Sequence, residues 1–156
     1  MNKPAPVLHT VVLDTGPLGL ATNPKSSPDA LACRQWVRAM TAQGVQVVVP
    51  EIADYEVRRE LLRAGKTRGL ANLDALTNAL SYLPLTTAIM RHAAQLWADT
   101  RLARRQTAHP QALDGDVILA AQALALGLPD GEVIVVTSNV SHLSPFVAAK
   151  TWPETR

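Results

Sequence analysis

Three short, unbroken runs of largely branched aliphatic residues constrain this chain more than any other feature. Val7 to Leu13, Val45 to Val49 and Glu132 to Val136 are strand-sized, and none keeps a strict apolar–polar alternation. A strand that is apolar on both faces must be covered on both, as happens in a parallel sheet between two layers of helix. The segments between the runs supply those helices. Ser27-Pro28-Asp29 begins one, with Ser27 as the cap and Pro28 at the first position. Cys33, Trp36, Val37 and Met40 follow as a core stripe at helical spacing, and Gly44 closes the helix. Pro50 opens a second helix from Glu51 to Arg63, and Leu70, Leu73, Leu76 and Leu80 mark a third that makes a hairpin with it.

Further along, Tyr82-Leu83-Pro84-Leu85 suits a short edge strand, because proline is tolerated there. Thr86 caps a long helix with Ile89, Ala93, Leu96, Trp97 and Thr100 on one face, Trp97 being expected in the core. Gln106 to Pro110 reads as a loop. The helix after it is expected to carry Asp114 or Asp116 in its first turn and Val117, Ala120, Ala121, Leu124 and Leu128 on its buried stripe. A last short strand is expected within Val147 to Trp152. Strands alternating with helices predict a single α/β domain over 1–156, three layers deep, with a mainly parallel central sheet.

At 156 residues the chain is one domain by size and long enough to bury a real core. A single cysteine, Cys33, excludes a disulfide framework and a cysteine-rich zinc site. The four histidines, His9, His92, His109 and His142, lack ligand spacing and read as surface or core-edge residues. No signal peptide or transmembrane span is legible, which places the expected protein in the cytoplasm with no membrane partner. The net charge of +2 says little, but its distribution is uneven. Arg58, Arg59, Arg63, Lys66 and Arg68 crowd one segment, and Arg101, Arg104 and Arg105 another.

Open α/β sheets place ligand-binding groups outside the carboxyl ends of their strands. Asp14 and Thr137-Ser138-Asn139 end strands, Glu56 lies early in the helix after a strand, and Asp114 and Asp116 begin a buried helix. Each has an ordinary use as well. Asp14 suits a cap, Glu56 and Glu60 a solvated helix face, and Asn139 a turn. If the helix starts face one edge, however, three or four carboxylates converge, and such a group needs a cation or shared protons. Oxygen ligands without Cys or His favour Mg²⁺ or Mn²⁺. Nearby arginines, of which Arg58, Arg59 and Arg63 stand closest in sequence, can hold a phosphodiester backbone. The residues alone thus point to metal-dependent hydrolysis of a phosphodiester.

Asp14 after its strand, Glu56 within Ile52 to Leu61, Asp116 before Val117-Ile118-Leu119-Ala120-Ala121, and Thr137-Ser138-Asn139-Val140-Ser141-His142-Leu143 resemble, in that order, the PIN domain. The resemblance runs from Val11 to about Phe146 and is strongest to the VapC-type ribonuclease toxins of toxin–antitoxin pairs. It implies an Mg²⁺- or Mn²⁺-dependent endoribonuclease that leaves a 5′-phosphate and a 3′-hydroxyl. It implies Asp14, Asp116, Glu56 and Asp114 as catalytic, metal-ligating residues, with Glu56 able instead to orient the attacking water. Asp114 lies where members often carry a further acidic or polar residue. Thr137 matches the usual threonine after the last strand and would act from behind the ligands with Asn139. Asn139 stands where many members have a fourth acid, and an amide supplies no charge, a loss that Asp114 is positioned in sequence to offset. A homodimer and a cognate antitoxin are implied as well.

Readings from other classes remain. A catalytically weak RNA- or partner-binding module would explain Asn139, although clustered carboxylates repel an anionic ligand. A phosphatase using Asp14 as nucleophile wants a second Asp two residues on, where Gly16 stands. A phospho-receiver wants a lysine near the last strand, where Thr137-Ser138-Asn139 stands. The identity of the RNA is not encoded in any compact motif.

Overall fold

The computed structural model describes residues 4–103 and 110–155. Five strands form one sheet in which every pairing is parallel: β1 (Thr10–Leu13), β2 (Gln46–Pro50), β3 (Ser81–Leu83), β4 (Val133–Val136) and β5 (Ala149–Lys150). Their spatial order is β3-β2-β1-β4-β5. Chain order therefore runs outward in one direction from β1 to β3 and in the other from β4 to β5. The junction of β1 with β4 is where the winding reverses, the place at which open α/β sheets form a crevice.

The helices are α1 (Thr15–Thr22), α2 (Pro28–Ala42), α3 (Glu51–Arg63), α4 (Thr67–Ala79), α5 (Thr87–Leu102), α6 (Pro110–Leu124) and α7 (Val140–Leu143). They divide between the two faces of the sheet as the two-residue strand period requires. Val11, Leu13, Val47, Val49, Ile134 and Val136 point to one face, against Leu18, Trp36, Met40, Val57 and Leu73 of α1 to α4. Val12, Val48 and Val135 point to the other, against Leu119 and Ala123 of α6 and Leu143 of α7. α5 covers the outside of α6 through Ile89 and Ala93. The expected three layers are present. Among the described residues no helix is long and apolar enough to cross a membrane.

The caps at Ser27 and Thr86 form as expected, accepting from the N–H groups of Ala30 and Ile89. Gly44 ends α2 with φ at 81°, a conformation that other residues rarely adopt. Several boundaries differ from the sequence reading. β1 begins at Thr10 rather than Val7, which is 71% exposed, because its neighbours β2 and β4 begin opposite Thr10. The edge strand occupies Ser81–Leu83, and the last strand only Ala149–Lys150. Trp97 is half-buried, with the Arg101 guanidinium 5.0 Å from its ring centroid, instead of filling the core. Leu124, expected on the buried stripe of α6, is exposed.

The largest correction concerns α6 itself. It starts at Pro110, a residue well suited to a first helical position, so neither Asp114 nor Asp116 lies in its first turn. Pro110 thus belongs to the helix and not to the loop; the rest of that loop and the Arg104–Arg105 pair lie outside the described residues.

Candidate active site

The crevice at the β1–β4 junction is built around Asp14. Its backbone N–H donates to the Val136 carbonyl at 2.9 Å, tying the end of β1 to the end of β4. One carboxylate oxygen accepts from the Thr15 N–H at 2.7 Å and caps α1. The other accepts from the Thr137 hydroxyl at 2.7 Å. Thr137 Oγ1 accepts in turn from the Asn139 N–H at 2.9 Å. Asp14 is therefore both a cap and a fixed functional group. Gly16 makes the close approach possible, since a Cβ there would lie 2.8 Å from the Ser138 hydroxyl.

Glu56 reaches the same crevice from the second turn of α3. Pro50 precedes α3 and offers no side-chain cap, so the helix start takes a partner from elsewhere. That partner is Gln122 of α6, fully buried, whose Oε1 accepts from the Ile52 N–H at 3.2 Å. Its amide donates to the Leu83 carbonyl at 2.8 Å. α6 is thereby locked to α3 and β3. Gly115 of α6 lies against the Glu56 carboxylate, and a Cβ there would come within 3.3 Å of Glu56 Oε1. Asp116, the next residue, faces the crevice with the His142 ring of α7 beside it, Nδ1 to Oδ2 3.8 Å.

The three acids sense one another. Burial raises the affinity of Glu56 for its proton, and the Asp14 charge raises it further; the Arg59 guanidinium and the nearby Thr15 hydroxyl oppose the shift. Asp116 is pushed up to about 6, chiefly by burial, with His142 lowering it and the charges of Asp14 and Glu56 raising it. Among the described residues no three His, Cys, Asp or Glu side chains stand at metal-ligating spacing, so these carboxylates converge as neighbours rather than as a closed cage. Their chemistry still fits a hard divalent cation, being oxygen donors that burden one another with negative charge. A second feature agrees. Thr15 Oγ1 is buried at the crevice and has no hydrogen-bond partner at good geometry.

The other expected residues divide. Asp114 is exposed and lines an apolar recess between α5 and α6 with Met90, Trp97 and Val117. Two residues along a helix are about 200° apart, so Asp114 and Asp116 cannot share a face, and Asp114 does not join the cluster. Asn139 contributes its backbone N–H, while its residue is exposed. Arg58 is committed to Asp54 and Asp74, with shortest contacts of 2.9 and 2.8 Å, and Arg63 to Glu60 at 2.8 Å. Arg59 is the arginine of the three beside the acids, 3.8 Å from Glu56 Oε2. A groove of about 490 Å³ leaves the crevice at Thr15 and Glu56 and runs between α1 and the α3–α4 hairpin toward Lys25, Lys66 and Arg68.

The sequence reading missed Thr15, Gly115, Gln122 and His142 at this site. Gln122 had a usable signal, because an amide amid the apolar residues of a buried helix must find partners. His142 had a weaker one, lying three residues after Asn139 on a short helix.

No curated protein matches the sequence. Solved structures of similar shape do. The chain superposes with a TM-score of 0.70 and 15% identity on the structure of VapBC2 from Rickettsia felis bound to a DNA fragment from their promoter, covering 92% of this chain and 98% of that one. VapBC-1 from nontypeable Haemophilus influenzae gives a TM-score of 0.64 at 18% identity, covering 93% and 99%. FitAcB from Neisseria gonorrhoeae gives 0.65 at 16%, covering 92% and 99%. At such identities the likeness is one of fold. The family model for the PIN domain matches residues 11–141, a span that holds all of β1 but its first residue, the α3 acid, the α6 acid and the threonine after β4. By that match over most of its length, this chain belongs to the PIN domain family.

Proposed function

We propose that the protein is a divalent-metal-dependent endoribonuclease, the toxin of a toxin–antitoxin pair. One observation supports this reading above the others: Asp14, Glu56 and Asp116, from three separate parts of the chain, stand at the switch point of a PIN domain, where burial first and their neighbours' charge second raise the proton affinity of Glu56 and Asp116. Asp14 and Asp116 are the residues that would hold an Mg²⁺ or Mn²⁺ ion. Such an ion supplies charge neutralisation at a phosphate and acidifies water near it.

The chain's own residues do the rest. The Thr137 hydroxyl donates to one Asp14 oxygen and the Thr15 N–H to the other, which fixes the orientation of the carboxylate. Glu56, half-buried and with a raised proton affinity, is suited to accept the proton of a water attacking phosphorus in line. Arg59 stands where it can pair with a phosphate oxygen, and Lys25, Lys66 and Arg68 line the far end of the groove. The products are a 5′-phosphate and a 3′-hydroxyl. The resemblance to VapC toxins supports an antitoxin partner and a homodimer, and the antitoxin is supported as well by similarity in fold to a structure described as a member of the VapBC family of toxin-antitoxin systems.

The test is cleavage of a mixed RNA pool with Mg²⁺ or Mn²⁺, against EDTA and against Asp14→Asn and Asp116→Asn. Each variant is expected to lose at least about a hundred-fold in rate, since even groups behind metal ligands cost 10–100-fold. Circular dichroism should show both folded. Full activity in Asp14→Asn, or cleavage undiminished by EDTA, would sink the proposal.

A further inference from the structure

Beside the acids, on the side of α3 away from the groove, stands an aromatic ring that neither the fold nor the proposed reaction uses. Tyr55 is 56% exposed, and the Arg59 guanidinium lies over its ring, 5.1 Å from the centroid. The same guanidinium is 3.8 Å from Glu56 Oε2, so the ring, the cation and the acid form a continuous series along one side of the helix. At about 100° per residue, Tyr55 and Arg59 flank Glu56 on one side, whereas Val57, Glu60 and Leu61 of the groove lie on its other side.

We infer that the Tyr55–Arg59 pair is a stacking platform for the base next to the scissile phosphate. The inference rests on the nuclease reading above and adds the surface of this chain on which that neighbouring base is held. A strand whose phosphate lies at the acids sends one neighbouring nucleotide toward the groove and the other over Tyr55. Aromatic rings and guanidinium planes are the surfaces on which unstacked RNA bases settle, and they tolerate any base. A base held in a duplex keeps both faces covered by its neighbours and cannot use the platform. Leu62, one turn beyond Arg59, is also exposed, but the guanidinium interrupts any apolar stripe from Tyr55 to Leu62. A planar ligand with a negative charge suits that surface better than a greasy protein face does.

The test separates binding from cleavage. In the full chain carrying Asp14→Asn and Asp116→Asn, fluorescence anisotropy is read for a short labelled single strand of mixed sequence and for a hairpin duplex. Adding Tyr55→Ala should weaken single-strand binding about ten-fold and leave duplex binding nearly unchanged, and Tyr55→Phe should restore it. In the active chain, Tyr55→Ala should raise KM by a similar factor and spare kcat. Single-strand affinity unchanged by Tyr55→Ala, or an equal loss on both RNAs, would overturn the platform and leave Tyr55 to a protein contact. Absence of metal-dependent cleavage by the parent chain would instead overturn the nuclease reading, and the binding comparison would still judge the platform.

Discussion

A carboxyl group half-buried beside two others is held at a cost to the fold, and Asp116 is the residue where that cost is measurable. Its proton leaves near 3.8 in the unfolded chain and near 6 in the folded one. Between those values the folded state binds the extra proton, so stability falls as pH rises through the window. Above pH 6 the penalty is complete and amounts to at most about 3 kcal/mol. Asp116→Asn removes it. Without divalent ions, urea unfolding near pH 7 should find the variant more stable than the parent, with the difference closing toward pH 4. Parallel stability curves for the two proteins would show that Asp116 is not so burdened. Thr137 illustrates the converse: a buried hydroxyl with donor and acceptor roles both filled, which fixes Asp14 at no cost in charge.

At the scale of elements, the site depends on how α6 is seated against α3. The apolar faces of α6 pack it on the sheet and under α5, and one amide ties it to α3 and β3. Gln122 satisfies the Ile52 N–H and the Leu83 carbonyl at once, and the first of these belongs to a helix start that Pro50 cannot cap. Gln122→Leu keeps the volume and strands both groups. It should cost about 2–4 kcal/mol, read as a lower midpoint in thermal or urea unfolding. It should also reduce cleavage at temperatures where the variant is folded, because Glu56 and Asp116 lose their common brace. A variant as stable as the parent would show that α6 is held chiefly by its apolar face. Asp114 marks the limit of reading elements from sequence. Once α6 begins at Pro110, the helical rotation carries Asp114 toward α5 and leaves Asp116 in the crevice.

For the whole molecule, the decisive fact is the reversal of winding between β1 and β4. It brings the ends of strands more than a hundred residues apart into hydrogen-bond contact through Asp14 and Thr137. Gathering negative charge from α3 and α6 at that point makes the folded state a better ligand for a divalent cation than the unfolded chain. Mg²⁺ or Mn²⁺ should therefore raise the melting temperature, by the equivalent of about 2.7 kcal/mol at a hundred-fold excess over the dissociation constant. The Asp14→Asn/Asp116→Asn double variant should show no such rise. A rise equal to that of the parent would place the bound ion elsewhere.

What the amino-acid sequence determined by itself was the parallel α/β class, the main helices and strands, and the family to which the chain belongs. Doubly apolar runs such as Val45 to Val49 can be stable only under helices, and Ser27 and Thr86 terminate helices by local hydrogen bonding that needs no tertiary partner. Asp14 and Thr137 were legible because strand ends are local features that the parallel topology gathers at one edge, and Glu56 because it lies early in the helix after a strand. Asp116 was singled out as the start of a helix that in fact begins at Pro110. The tertiary structure decided which acids and which arginines stand together at the crevice. Asp114 and Asp116 are alike in sequence, and only the start and rotation of α6 part them. Arg58, Arg59 and Arg63 are alike as well, until the partners Asp54, Asp74 and Glu60 occupy two of them and leave Arg59 between Tyr55 and Glu56. Which side chains share a face and which charges are already paired are properties of contacts distant in the chain, and no window of sequence contains them.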